Sequence, residues 1–205
     1  GQSVGSINPP ANSVGGSQIA NNTVTTAHLH TGLSVPDSNI AAMAASKLTG
    51  NVATSNMPAG SVIQVQEASR TGSSVSTSTQ TTYLYTNHSV SITPLFANSK
   101  IIIQVHGGSV FCASSDTRGY ATIYRSVSGQ SDVDLSAGAN MGLVNSYAGS
   151  SNHMSTTSCG AVDSSLVNNT TPHIYKLYIA KNGTGTIYMD YDVSKVFMTA
   201  MEIAQ

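Results

Sequence analysis

The chain has 205 residues, of which 32 are Ser, 22 Thr, 18 Gly and 15 Asn, and only 8% are charged, against about 25% in an average soluble domain. Eight Lys and Arg against nine Asp and Glu leave a net charge of −1, which gives no electrostatic footprint for a nucleic acid or an anionic membrane. Thr, Val, Ile and Tyr are plentiful while Glu, Lys and Leu are scarce, which predicts β structure. No apolar run approaches the roughly 18 residues of a membrane span, and the first residues lack the basic, apolar pattern of a secretion signal. The composition fits a rigid, uncharged assembly component such as a fibre, an adhesin or a shell protein.

Residues 1–58 contain no Tyr or Phe and only two charged groups, Asp37 and Lys47. Their aliphatics Val14, Ile19, Val24 and Leu29 recur every five residues, a spacing that neither a strand nor a helix produces. Such a segment has too little apolar surface to order itself alone, so other chains must supply the remaining walls. An extended, trimerising attachment or shaft segment is therefore expected over 1–58. It includes one short Ala-rich helix at 40–48, capped by Ser38 or Asn39 and stopped by Gly50. His28 and His30 flank Leu29. In a three-fold assembly six imidazoles would suit an octahedral metal, but the rhythm that points Leu29 inward turns both histidines away, so no metal is assigned.

Met57-Pro58-Ala59-Gly60 is breaker chemistry, and from residue 59 to 205 the pattern is that of strands. Runs at 61–67, 81–92, 100–111, 119–128, 173–180, 186–191 and 196–203, with a weaker one at 140–147, give about eight short strands. Gly107-Gly108 predicts a bulge or bend. Tyr175, Leu177 and Ile179 share one side of their run, opposite Lys176 and Tyr178. Tyr120, Thr122 and Tyr124 share one face, as do Phe197, Met201 and Ile203. Asn182-Gly183 reads as a hairpin turn. Residues 113–118 and 148–171 lack periodicity and are expected to be surface loops. The fold class is all-β: an antiparallel β-sandwich or jelly-roll head behind the extended N-terminal segment.

Little in the sequence points to catalysis, and no cofactor is expected. Asp132/Asp134 and Asp190/Asp192 would each share a strand face, as paired carboxylates of a glycosidase do. The favoured reading is of strand-edge carboxylates that keep the surface soluble. The hydrolase elbow, the P-loop and the dinucleotide glycine pattern are absent. Cys112 and Cys159, the only cysteines, are expected to be free thiols.

Met57-Pro58-Ala59-Gly60-Ser61-Val62-Ile63-Gln64-Val65, Ser91-Ile92-Thr93-Pro94, Ala97-Asn98-Ser99-Lys100-Ile101-Ile102-Ile103, Thr122-Ile123-Tyr124-Arg125 and Ala200-Met201-Glu202-Ile203 resemble the C-terminal heads of tail-fibre-like proteins from phages of aquatic bacteria, including cyanobacteria. Ala44-Ala45-Ser46-Lys47-Leu48-Thr49-Gly50 is similar to their shaft-to-head junctions. The resemblance implies a homotrimeric virion protein, assembled in the host cytoplasm. Its N-terminal segment would dock on other virion proteins and its head would bind a host surface glycan. It carries over no catalytic residue. The chain is short for a full fibre, so a capsid-decorating cement or head-fibre protein stands as the alternative, with a polysaccharide-degrading spike third. Receptor contacts are expected in 113–118 and 148–171, where Arg118 and His153, with Tyr147 just before the second stretch, are best able to stack on or hydrogen-bond a sugar.

Overall fold

The computed structural model describes residues 56–71, 74–80, 82–136, 142–166, 171–191 and 195–205. The expectations for residues 1–55, including the helix at 40–48 and the His28/His30 pair, lie outside the described residues, as does Asp192. Among the described residues there are eleven strands: β1 (Val62–Thr71), β2 (Val75–Thr77), β3 (Leu84–Ile92), β4 (Lys100–Cys112), β5 (Thr117–Val127), β6 (Val133–Asp134), β7 (Val144–Ala148), β8 (His153–Asp163), β9 (His173–Gly183), β10 (Ile187–Met189) and β11 (Lys195–Ile203).

They form two antiparallel sheets. In the first, β4 is central: β8 lies along one side, and β11 then β10 along the other, with β1 beyond β11 and β2 beyond β10. In the second, β9 and β5 pair along eleven positions, flanked by β3 on one side and by β7 and β6 on the other. Alternation aims one face of each sheet inward. Ile101, Ile103 and Val105 of β4 and Val196, Met198 and Ala200 of β11 meet Ala121 and Ile123 of β5 and Tyr175, Leu177 and Ile179 of β9 in one core. The all-β sandwich is as the sequence predicts. Gly119 lets the sheets approach, since a Cβ there would stand 2.8 Å from Val110.

Several boundaries differ from the sequence reading. Residues 148–171 are not one loop, because β8 runs through them and pairs along β4. Its inward positions are Thr157, Cys159, Ala161 and Asp163, so the alternation is carried by small and polar side chains rather than aliphatics. Thr117 and Arg118 belong to β5, which shortens the loop before it to residues 113–116. Asn182-Gly183 does not close a hairpin: β9 pairs in one sheet and β10 in the other, so this turn carries the chain across the sandwich. Phe197, Met201 and Ile203 do share a face, but it is the outer one. The core takes Val196, Met198, Ala200 and Glu202. The predicted bulge is present, where the β4–β8 register shifts between His106 and Ser109 and both glycines have positive φ.

The chain enters at one end of this sandwich, here termed the base. Gly60 N–H donates to Ala204 O at 2.8 Å and Ala204 N–H to Ser61 O at 2.9 Å, so entry and C-terminus meet there. Residues 93–99, which join β3 to β4, and residues 164–166 and 171–172, which flank β8 and β9, lie at the same end. Residues 113–116, 149–152 and 184–186 join β4 to β5, β7 to β8 and β9 to β10 at the opposite end, the tip. The thirteen residues of β4 separate the two by about 40 Å at about 3.3 Å per residue.

Candidate functional site

The base is a closed polar network. Glu202, on β11, is fully buried. Its carboxylate accepts from Leu95 N at 2.9 Å, Phe96 N at 3.1 Å, Gln64 Nε2 at 2.6 Å and Ser99 Oγ. Gln64 also donates to Thr93 O. Burial pushes the Glu202 carboxyl pKa up. The hydrogen bonds from Gln64, Ser99, Leu95 and Phe96 outweigh it and hold the group below its ordinary 4.5. A second buried network ties β5, β8 and β9 together. Arg125 Nη1 donates to Asp163 Oδ1 at 2.9 Å and Tyr175 Oη to Asp163 Oδ2 at 2.9 Å. Burial raises the Tyr175 phenol, reinforced by the Asp163 charge, so Tyr175 stays a donor.

Gln64, Thr93, Ser99, Arg125 and Glu202 all come from the segments that carry the fibre-head resemblance. The structure gives those segments an architectural role, that of fixing the base and one wall of the sandwich.

The tip presents different chemistry. Arg118 and Tyr147 are register partners on β5 and β7, and the guanidinium lies 4.8 Å from the Tyr147 ring centroid. Tyr147 is 47% exposed and donates to Asp116 Oδ1 at 3.1 Å. His153 starts β8 in the other sheet. It is exposed, and its imidazole makes no hydrogen bond or ring contact among the described residues. The structure thus joins Arg118 with Tyr147 and leaves His153 apart from them. The sequence reading missed an aromatic platform on the outer face of the first sheet. Phe111, Tyr188 and Tyr191 are in mutual contact at centroid distances of 4.2 to 5.9 Å, and Met154 is the register partner of Phe111. Tyr191 and Met154 are about half exposed. Their signal was outward parity next to the β4 and β10 core residues, once those strands are placed.

The acidic residues divide. Asp132 makes a 3.5 Å contact with Lys176, and Asp134 accepts from Thr122 Oγ1 and Ser136 N, which suits edge carboxylates. Asp190 does not fit that expectation. It is fully buried, and its Oδ2 stands 2.8 Å from His88 Nε2, off the line of a straight hydrogen bond. His88 Nδ1 lies 3.0 Å from Thr86 Oγ1. This row has the residue types of a hydrolase triad, but the Thr86 hydroxyl is buried and donates to Leu177 O at 2.8 Å. It is spent on the fold. Cys112 and Cys159 are free thiols. Burial raises both, Cys159 to about 11, which keeps them protonated and unreactive.

No protein-family model and no curated protein matches the chain. Among solved structures, it is similar to a chain of infectious bursal disease virus, Gx strain, at 17% identity and a TM-score of 0.34, covering 70% of this chain and 33% of that one. A chain of the Gt strain matches at 16% identity and a TM-score of 0.30, covering 71% and 39%. The protein thus spans between a third and two fifths of the length of these viral chains.

Proposed function

We propose that the protein is a virion structural protein, a short phage tail fibre or appendage whose sandwich head binds the host cell surface. The observation that carries this reading is the separation of the two ends. The chain enters at the locked base, and Arg118, Tyr147 and the Phe111–Tyr188–Tyr191 platform lie toward the tip, where an attached head would meet a surface. Exposed aromatic and arginine side chains on a rigid scaffold suit weak glycan contacts. Three heads would multiply such contacts through effective concentration.

Residues 1–58 are proposed to form the trimer and to dock on other virion proteins. A row of apolar residues across the outer face of the first sheet, Val65, Met201, Ile102 and Val162, of which Val65 and Val162 are about half exposed, supports self-association. Sedimentation is expected to give a trimer for the full chain and a weaker or monomeric state for a chain beginning at Met57; a monomeric full chain refutes the assembly. Antibody-labelled electron microscopy of virions is expected to mark the tail. Label on the capsid replaces the fibre reading with that of a decorating protein, and reducing-sugar release from host polysaccharide replaces it with that of a spike enzyme.

A further inference from the structure

The strand β3 departs from its register with β9 between Tyr85 and Ser89, and Asn87 sits there at φ 62°. The bulge takes the Thr86 carbonyl out of the ladder, and Arg70 on β1 donates to it from Nη1 at 2.9 Å. Beside this bond, between the edge strands of the two sheets, is a cleft of about 240 Å³. Arg70, Ser69, Asn87, His88 and Ser89 line it, over a floor of Val196 and Met198. The volume is of the order of one sugar ring.

Among the described residues, the charge in this cleft has no counter-ion. The buried guanidinium of Arg125 has Asp163 as its counter-ion. Arg70 is half-buried and has no carboxylate within ion-pair distance among the described residues. Its bond to Thr86 O uses one of five N–H donors. Among the described residues the one acid near the cleft, Asp190, lies behind His88, fully buried against the Gly107-Gly108 bulge. The Ser69 and Ser89 hydroxyls also have no protein partner among the described residues. A guanidinium fork with free donors, flanking hydroxyls and an apolar floor is the chemistry that takes a planar or tetrahedral anion.

We propose that this cleft binds a small anionic group, the carboxylate or sulfate of an acidic saccharide, with Arg70 as its anchor. The site is distinct from the tip residues, so it stands or falls separately from the host-binding reading. The test is calorimetric titration of the full chain with glucuronate, inorganic sulfate and, as the neutral control, glucose. Saturable binding of glucuronate or sulfate is expected, weakening as salt is raised, with glucose bound at least tenfold more weakly. Glucuronate alone assigns an acidic sugar, and sulfate alone assigns a sulfated or phosphorylated one. Arg70→Gln should lower affinity at least tenfold. Arg70→Lys, which keeps a donor for Thr86 O and hence the fold, should also lose most of it through loss of the fork. Equal binding of glucose, no binding of either anion, or anion affinity unchanged in a folded Arg70→Lys protein overturns the proposal.

Discussion

At the base, the Glu202 carboxylate gathers Gln64, Ser99 and two backbone amides, whereas at the tip Tyr147 is half exposed, with Arg118 stacked on it and one hydrogen bond to Asp116. The base spends its polar groups on itself and the tip leaves them available. A charge withdrawn from water must be fully bonded or it destabilises the fold, so a site rich in satisfied polar groups holds structure together. A site of exposed rings and a free guanidinium costs little to keep and contributes little to stability. Substitutions at the two ends should therefore fail in different ways.

The largest loss is expected at the buried ion pair. Asp163→Ala strands the Arg125 charge and removes the partner of Tyr175, at a cost of about 3–5 kcal/mol, measured by urea unfolding. Next is Glu202→Gln, at about 2–3 kcal/mol, because the amide nitrogen faces donors where the carboxylate accepted. Because its pKa is lower folded than unfolded, Glu202 contributes stability that is fully present above its ordinary 4.5 and is lost as pH falls through the folded value. Unfolding midpoints should drop from about pH 5 downward in the parent and drop less steeply in Glu202→Gln. Equal slopes would remove the base from its assigned role.

Gly108→Ala probes the bulge. A Cβ there would stand 2.5 Å from both Asp190 Oδ1 and Val196 Cγ2, at φ +71°, so a loss of about 1–3 kcal/mol is expected from strain of this kind. The smallest effect should be on the thiols. A thiol reagent should find Cys112 only after unfolding, and should find part-buried Cys159, whose thiol pKa burial raises to about 11, only slowly before it; rapid labelling of both in the native protein would contradict this.

How far the fold could be read in advance follows the same division. Strands built on aliphatics were visible, Ile101-Ile102-Ile103 in β4 as a short apolar run and Tyr175/Leu177/Ile179 in β9 as period-2 alternation. The strand β8 was not, since Thr157, Cys159 and Ala161 face the core with little apolar contrast to their neighbours. Asn182-Gly183 marks a turn correctly, but local residues do not encode which sheet receives the next strand. That choice rests on β10 finding β4 and β2. The Arg118–Tyr147 contact followed from sequence only as two residues of suitable chemistry; their pairing depends on the β5–β7 register. The burial of Glu202 and of Asp190 was missed because the groups that meet them, Leu95 and His88, lie about 100 residues away in the chain.

The account turns on the tip being a binding surface that the fold does not need. Binding of labelled full-length protein to host cells measures this directly, with a variant combining Arg118→Ala, Tyr147→Ala and Tyr191→Ser. The variant should unfold within about 1 kcal/mol of the parent, as exposed substitutions do, and should bind cells at least tenfold more weakly. Undiminished binding by this folded variant would contradict the account.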